Sequence, residues 1–370
     1  MHVKIKAALL REPNKPYTIE ELELEPPREH EVLVKYAYTG YCHTDLHMAL
    51  GEVQIALPMI AGHECAGVVE AVGSGVTNVV PGDHVACTWM VPCGTCPTCR
   101  RGMGNICMGN FEAFLGGTML DGTCRQTDKD GNVIRHCNFV SGFSDHAVVP
   151  DTGVIPLPKE FPLDVAALMS CCIPTGWGAV FNTAQVAPGD AVVVFGLGGV
   201  GLNVLRAAAM RQAYPLIAVD LEESKEDLAR EFGATHFICN SKEDPVGVIQ
   251  KLCGGANVAF EAIGDPGAIV QAWWCLAPAG KLVVVGVTPQ DAVANMPFFV
   301  LPLQQRQILG NLYGGISTHL DIPKLVNLGM TSDVHYEKLI SGKFKLEQIN
   351  DVAEAMLKRQ IRGRWVCEWE

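Results

Sequence analysis

Four cysteines stand close together near residue 100, in the run CGTCPTCRRGMGNIC: Cys93, Cys96, Cys99 and Cys107. The two-residue gaps allow one short loop to present three thiolates to a single point, and the longer gap before Cys107 closes a small lobe over it. Four sulfur ligands around one cation are typical of a closed, structural zinc site. Bacterial iron–sulfur patterns have short gaps throughout and a proline after the last cysteine, whereas Met108 follows Cys107. The run therefore predicts a structural zinc loop, with an iron–sulfur cluster and unligated or disulfide-bonded cysteines as alternatives.

Length and charge limit the classes of protein in which such a cysteine loop could occur. A chain of 370 residues is too long for one ordinary core and predicts two domains. The net charge of -12 argues against a nucleic-acid partner, and therefore against a DNA-binding zinc module. Fifteen cysteines and a start that lacks a secretory signal lead us to expect the reducing cytoplasm. The uncharged stretch 165–189 is interrupted by prolines and glycines, so we expect no membrane span.

The pattern of elements changes along the chain. The first 150 residues are rich in strand-like segments with turns between them, which predicts a mostly β domain. From about residue 187 buried strands alternate with helices, beginning with the strand Ala191–Phe195, and this alternation predicts a parallel, doubly wound sheet. Helical segments return after about residue 314, and the chain ends in the strand-like RWVCEW.

A glycine-rich run follows the first buried strand directly and opens a helix. Its residues are Gly196, Leu197, Gly198, Gly199, Val200 and Gly201. In this context GxGxxG predicts a turn whose backbone approaches a pyrophosphate, although a merely structural turn is the alternative. Asp220 ends the next strand, where an acid bonds the adenosine ribose, and Lys225 lies one helical turn further on. Because the charge of Asp220 would repel a ribose phosphate, NAD is predicted rather than NADP.

Several further segments occur in a characteristic order, namely GYCHTDLH, AGHECAGVVEAVG, PGDHV, the cysteine run, CCIPTGWGA and GLGGVG followed by the acid Asp220. With these, the chain resembles the zinc-dependent medium-chain alcohol dehydrogenases from end to end. The resemblance implies a GroES-like, mostly β catalytic domain at 1–174 and 313–370, with the structural zinc lobe at about 93–107. It implies a Rossmann NAD-binding domain at 175–312.

The resemblance assigns Cys42, His63 and Cys171 as ligands of a second, catalytic zinc. Two thiolates and an imidazole leave the fourth position open, as a catalytic zinc requires. The family places its cysteine four residues before a Thr-Gly pair, which selects Cys171 over Cys172. Cys172 stands where glycine is usual, so the choice between the two cysteines stays open.

The same resemblance implies a mechanism. The open zinc lowers the pKa of an alcohol, which releases hydride to the nicotinamide ring. Thr44 is the first proton carrier, and the proton reaches His47 through the nicotinamide ribose. Asp45 orients His63, and Glu64 lies near the zinc, with ordinary buried hydrogen bonding as the alternative for both carboxylates.

Other positions are assigned to the cofactor, namely His43, Thr175, Val200, Val287 and Arg364. His43 and Arg364 fall where the family contacts the pyrophosphate, and a surface charge is the alternative for Arg364. Trp89 matches an aromatic residue that lines the substrate pocket, with core packing as its alternative. Val287 and the loop 109–138 are also expected to shape this pocket.

The expected activity is the reversible, NAD-dependent oxidation of a primary alcohol, aromatic and allylic alcohols included. A thiol-dependent formaldehyde dehydrogenase is disfavoured, because its relatives carry tyrosine in place of His47 and an acid near Val53. The tail resembles that of relatives which hold NAD permanently and use an external acceptor, so this alternative stays open. A non-enzymatic zinc- and NAD-binding protein is disfavoured by the complete ligand set. The uncharged QILGNLYG segment favours a dimer, with a tetramer as the alternative.

Overall fold

The computed structural model describes residues 2–369. Its strands are β1 Val3–Leu10, β2 Thr18–Leu24, β3 Glu31–Gly40, β4 Met59–Ile60, β5 Glu64–Val72, β6 His84–Cys87, β7 Gln126–Thr127, β8 Val133–His136, β9 His146–Pro150, β10 Val154–Leu157, β11 Val192–Phe195, β12 Leu216–Asp220, β13 His236–Cys239, β14 Ala256–Glu261, β15 Leu276–Val284, β16 Gln307–Gly310, β17 Ile340–Phe344 and β18 Arg364–Glu368. Its α-helices are α1 His43–Ala49, α2 Pro97–Arg100, α3 Phe111–Gly116, α4 Leu163–Leu168, α5 Cys172–Gly178, α6 Gly199–Met210, α7 Glu226–Glu231, α8 Pro245–Cys253, α9 Pro266–Trp274, α10 Val300–Leu303, α11 Thr318–Thr331 and α12 Ile349–Leu357.

The chain divides into two units, the first extending to Cys171 and resuming at Ser317. This unit contains a closed barrel, in the order β1-β2-β7-β8-β4, and a second sheet, in the order β10-β6-β5-β3-β18-β17, with β9 paired to β3. Buried apolar side chains of β1, β2 and β8 fill one core cluster. The mostly β architecture predicted for the first 150 residues is confirmed.

The central strand β3 sets the position of the chemistry in the first unit. It pairs antiparallel with β5, and Gly40 at its end lies opposite Glu64 at the start of β5. Cys42 follows the end of β3 and His63 precedes β5, so both leave the sheet at the same edge. A Cβ on Gly40 would lie 2.3 Å from Oε2 of Glu64, which explains why the close approach requires glycine.

The second unit, Cys172–Ile316, is built on one six-stranded sheet in the order β13-β12-β11-β14-β15-β16. All its strand pairs are parallel, and the four residues of the central strand β11 are buried. This is the predicted Rossmann-type arrangement. The predicted domain boundaries, at 174/175 and 312/313, lie within a few residues of the ends of this unit and remain predictions.

One predicted strand differs in its bounds. The run KLVVVGV predicts a strand over 281–287, but β15 starts earlier, at Leu276, and ends at Val284. After this last residue, the backbone N–H groups of Val285 and Gly286 both donate to the carbonyl of Glu261, at 2.9 and 3.0 Å. Val287 therefore lies in the loop that follows β15. None of the helices formed by residues 2–369 combines the length and apolarity needed to cross a bilayer.

Candidate metal centres and nucleotide site

The four clustered cysteines converge in a lobe built around the short helix α2. The Sγ atoms of Cys96 and Cys107 are 3.9 Å apart, and those of Cys93 and Cys99 are 4.0 Å apart. Zinc bound to four thiolates at about 2.3 Å holds its sulfur atoms about 3.8 Å from one another. The spacing and the all-sulfur donor set therefore fit a tetrahedral zinc ion.

Local backbone geometry prepares these thiols to bind a cation. Cys96 precedes α2, and its Sγ accepts the backbone N–H of Cys99. Together with the hydroxyl of Thr98, whose hydrogen bond is the larger cause, this N–H lowers the pKa of the Cys96 thiol to about 5. A Cβ on Gly109 would lie 2.5 Å from the Sγ of Cys93, so only glycine allows the chain to pass behind the cluster.

A second cluster lies at the end of the β3–β5 ladder. Ligand atoms of Cys42, His63, Glu64 and Cys171 all lie within 4.8 Å of one another, and all four residues are buried. Two thiols and one imidazole match the donor set of a zinc site that keeps a position open. The structure thus brings the three predicted ligands together, while Cys172 begins α5 in the other unit.

Asp45 links two of these ligands. Its Oδ2 accepts the backbone N–H of Cys42 at 2.9 Å, and its Oδ1 lies 3.0 Å from Nδ1 of His63. A carboxylate only accepts hydrogen bonds, so Nδ1 donates and Nε2 is left for a metal. Asp45 is fully buried.

Glu64 forms a buried ion pair with Arg364 of β18. Nη2 of Arg364 donates to Oε1 of Glu64 at 3.1 Å, and Nε lies 3.1 Å from Oε2. Burial raises the pKa of Glu64 to about 7, although the arginine opposes this shift. Arg364 is 3% exposed and also donates to the carbonyl of Tyr41. Its predicted pyrophosphate contact remains a prediction.

Helix α1 carries the predicted proton carriers. The hydroxyl of Thr44 lies 3.8 Å from the Sγ of Cys42, at the edge of the cluster. The rings of His43 and His47, one turn apart, have centroids 4.8 Å from each other. Nδ1 of His47 is hydrogen-bonded to the carboxylate of Glu52, a residue that the sequence analysis does not assign.

A group of aromatic side chains lies next to the second cluster within the first unit. The ring centroid of Trp89 is 6.3 Å from that of His63 and 6.2 Å from that of Phe114. Phe114 belongs to α3 in the loop 109–138, and it also contacts Phe111 and Phe139. Trp89 is 9% exposed, so its ring is packed against its neighbours, and its predicted role in lining a substrate pocket stays a prediction.

The glycine run lies at the carboxyl edge of the parallel sheet, where Gly198 precedes the start of α6. Gly196 has φ +91, and its Cβ would lie 2.4 Å from Cγ1 of Ile263. A Cβ on Gly201 would lie 1.8 Å from the carbonyl oxygen of Gly196. The tight turn and close helix packing expected of a dinucleotide-binding loop are both present.

Asp220 ends β12 next to this loop. Its Oδ2 accepts the backbone N–H of Leu197 at 2.8 Å and the ammonium of Lys225 at 3.0 Å. Asp220 and Lys225 are each 9% exposed. Of the other predicted cofactor residues in this unit, Thr175 lies on α5, Val200 in the first turn of α6 and Val287 after β15.

Comparisons with known proteins identify the family. Residues 28–159 match the alcohol dehydrogenase GroES-like domain, and residues 199–329 match the zinc-binding dehydrogenase domain. The chain is 36% identical over 98% of both chains to the NDMA-dependent alcohol dehydrogenase of Amycolatopsis methanolica. The chain belongs to the zinc-dependent medium-chain dehydrogenase/reductase family.

Other members of this family agree with the predicted alcohol dehydrogenase class. The class-3 alcohol dehydrogenase of Pisum sativum is 36% identical over 97% of this chain and 96% of its own. The crystal structure of benzyl alcohol dehydrogenase from Acinetobacter calcoaceticus superimposes with a TM-score of 0.91, at 31% identity and with full coverage of both chains. The prediction of a zinc alcohol dehydrogenase with a GroES-like and a Rossmann domain is confirmed.

Three residues near the family's predicted sites were missed by the sequence analysis. The Cys137 thiol lies within 4.8 Å of ligand atoms of Asp45 and His63, but nothing in its local sequence distinguishes it from the other cysteines. Glu261 ends β14 beside the glycine loop and accepts the N–H groups of Ile263 and Gly264. Its position at the end of a buried strand could have indicated this role. Glu52 lies five residues after His47 and directly follows Gly51, and this local spacing could have indicated a contact between Glu52 and His47.

Proposed function

We propose that this protein catalyses the reversible oxidation of a primary alcohol to an aldehyde, with hydride transfer to NAD. The observation that carries the proposal is the buried cluster of Cys42, His63 and Cys171 within 4.8 Å, with the Thr44 hydroxyl at its edge. A bound zinc would supply a Lewis acid that lowers the pKa of the alcohol.

The chain's own residues would prepare this reaction. Asp45 fixes His63 with Nε2 toward the ligand position, and it holds the backbone of Cys42 with its other oxygen. The Thr44 hydroxyl both accepts and donates a hydrogen bond, so it suits the first step of proton removal. The Glu64–Arg364 pair keeps a carboxylate beside the cluster without a free buried charge.

NAD is proposed over NADP on the position of Asp220. Two unit charges 4 Å apart repel by about 4 kcal/mol at an effective dielectric of 20, so a phosphate on the ribose would meet a substantial penalty. The Lys225 ammonium at 3.0 Å offsets part of this penalty. Asp220 also holds the glycine loop through Leu197, so a single carboxylate supports the loop and the ribose position.

A second candidate is an enzyme that keeps its NAD bound and passes the electrons to an external acceptor. The 36% identity to an NDMA-dependent alcohol dehydrogenase over nearly the whole chain favours it. The buried cluster of zinc ligands would support the same chemistry in both candidates, because they differ only in whether the cofactor leaves between turnovers.

Aromatic alcohols are the proposed preferred substrates. Trp89, Phe114 and Phe139 form a continuous group of rings next to His63, which favours a flat apolar substrate. The likeness to a benzyl alcohol dehydrogenase points in the same direction.

The experiment follows NADH absorbance with aliphatic, allylic and benzylic alcohols and free NAD, and repeats each assay with an artificial electron acceptor. Turnover with free NAD supports the first candidate, and turnover only with the acceptor supports the second. Absence of turnover with every alcohol under both conditions, in protein with verified zinc, contradicts both.

We also propose a dimer in the cytoplasm. Strand β16 is an edge of the parallel sheet, and its backbone groups on that side would pair with a second copy. Exposed apolar side chains in the same unit, Phe298, Phe299, Leu303, Ile308 and Leu312, supply the surface that such an interface would bury. Fifteen free cysteines suit a reducing compartment.

A further inference from the structure

The end of helix α1 is closed by a glycine motif that fixes the position of Glu52. The N–H of Gly51 donates to the carbonyl of Met48 at 3.1 Å, and the N–H of Glu52 donates to the carbonyl of His47 at 3.0 Å. These two bonds and the φ of +70 at Gly51 are the features of a Schellman motif. A Cβ on Gly51 would also lie 2.8 Å from Cβ of Pro13. The positive φ and this close contact both favour glycine at the position.

The motif brings the Glu52 carboxylate to one specific ring atom. Oε2 of Glu52 is hydrogen-bonded to Nδ1 of His47. An ionised carboxylate only accepts hydrogen bonds, so Nδ1 must carry a proton, and in the neutral ring Nε2 then carries the lone pair. No described residue is hydrogen-bonded to Nε2, which leaves this nitrogen available as a base.

We propose that Glu52 is a positioning residue that holds His47 in the Nδ1–H tautomer, with Nε2 as the atom that receives the substrate proton. The inference rests on the proposed function and on the predicted proton path, which leads from Thr44 to His47. A proton that arrives at Nε2 makes the ring an imidazolium, and the Glu52 carboxylate stabilises its charge. Loss of that proton from Nε2 to water restores the neutral ring, so one proton enters and one leaves.

Burial separates this pair from an ordinary surface contact. The His47 side chain is 10% exposed and that of Glu52 is 35% exposed. A pair of the same type, His335 with Glu337 at 3.0 Å, is 45% and 63% exposed. Water competes much less for the Nδ1 hydrogen bond of His47, so the carboxylate controls which nitrogen is protonated. The other titratable ring in contact is His43, at 4.8 Å between centroids.

The test is nitrogen-15 NMR of histidine-labelled, zinc-loaded protein without substrate, with the His47 signals assigned by comparison with H47Q. We expect His47 in the Nδ1–H tautomer in the wild-type protein and a shift toward Nε2–H in E52A, while E337Q leaves His47 unchanged. An Nε2–H tautomer in the wild-type protein, or an unchanged tautomer in E52A, overturns the proposal. This readout needs no turnover, so it separates failure of the inference from failure of the proposed function.

Kinetics give a second readout. In E52A we expect kcat for the alcohol to fall roughly tenfold, because oriented acid–base groups contribute mainly to the chemical step. The zinc content and KM should change little. Formate should restore part of the loss, since it supplies a carboxylate, whereas chloride at equal ionic strength should not. E52Q keeps an acceptor without the charge, so it should retain the fold and show an intermediate rate. Wild-type kcat in both variants contradicts the role of Glu52.

Discussion

At the scale of single residues, Asp220 joins the glycine loop and a lysine through one oxygen atom. Its Oδ2 accepts both the N–H of Leu197 and the ammonium of Lys225. The D220S variant removes the charge that would repel a ribose phosphate. We expect the preference for NAD over NADP to fall by roughly tenfold or more, which corresponds to about 1.4 kcal/mol. The measurement is the ratio of kcat/KM for the two cofactors, with the exposed D227S of α7 as control, and an unchanged ratio refutes the ribose role.

Local spacing made part of the site predictable at this scale. The cysteine run and the glycine loop could be named from their spacing, whereas the ligand candidates Cys42 and His63 were named from the resemblance to the family. The pairing of Glu64 with Arg364 could not be predicted, because 300 residues separate the two and only the pairing of β3 with β5 and β18 brings them together. From the sequence, Arg364 is predicted to contact the cofactor, with a surface charge as the alternative.

At the scale of elements, the lobe of four cysteines has no core of its own and would be held together by a bound metal. Helix α2 has four residues and no buried side chain, so a metal must supply most of its stability. The C99S variant should lower the melting temperature by roughly 5 °C, since a loss of about 2 kcal/mol shifts a unit of this size by about 2–4 °C per kcal/mol. It should retain turnover per catalytic zinc.

Differential scanning calorimetry with zinc analysis checks this expectation. C124S is the matched control, because Cys124 is half-buried in the same unit and belongs to neither metal cluster. A C99S protein that lacks one zinc yet has the melting temperature of the wild-type protein argues against a structural role for that zinc.

The short strand β8 ends in a buried histidine that makes stability depend on pH. Burial lowers the pKa of His136 from 6.5 to about 3, and its two ring nitrogens bond the N–H of Arg125 and the hydroxyl of Ser141. Below pH 6.5 the unfolded chain binds a proton that the folded chain excludes. Folding should therefore lose up to roughly 1.4 kcal/mol per pH unit from this group as the pH falls toward 3.

The H136Q variant lacks this titration but also loses packing and hydrogen bonds. We expect it to melt below the wild-type protein at pH 7, with the difference shrinking as the pH is lowered to 5. H30Q is the control, since His30 is exposed and its pKa is raised by Asp151. A difference that stays constant or grows between pH 7 and 5 contradicts a buried neutral His136.

At the scale of the whole molecule, strand-like segments with turns predicted the mostly β domain, and strand–helix alternation predicted the parallel sheet. Neither pattern predicted where every element ends. β15 stops at Val284, after which the N–H groups of Val285 and Gly286 share the carbonyl of Glu261, 24 and 25 residues earlier in the chain. The closed barrel could not be predicted either, since β1 closes it with the two-residue strand β4.

The proposed dimer is also a property at this scale. Lysine on an edge strand opposes pairing with another sheet, so I308K should convert a dimer to a monomer in light scattering coupled to size exclusion. V80K, at an exposed apolar residue of the first unit, should leave the mass unchanged. A wild-type protein that elutes as a monomer refutes the dimer, and an I308K dimer refutes the assignment of its interface to β16.

The most direct measurement compares alcohol turnover by C171A and C172A under the cofactor conditions in which the wild-type protein is active. Cys171 lies in the buried cluster with Cys42 and His63, whereas its neighbour Cys172 begins α5. We predict that C171A loses turnover and one of two zinc ions. C172A should keep its turnover and both zinc ions. Wild-type turnover in C171A, with zinc content verified, would contradict the catalytic zinc site.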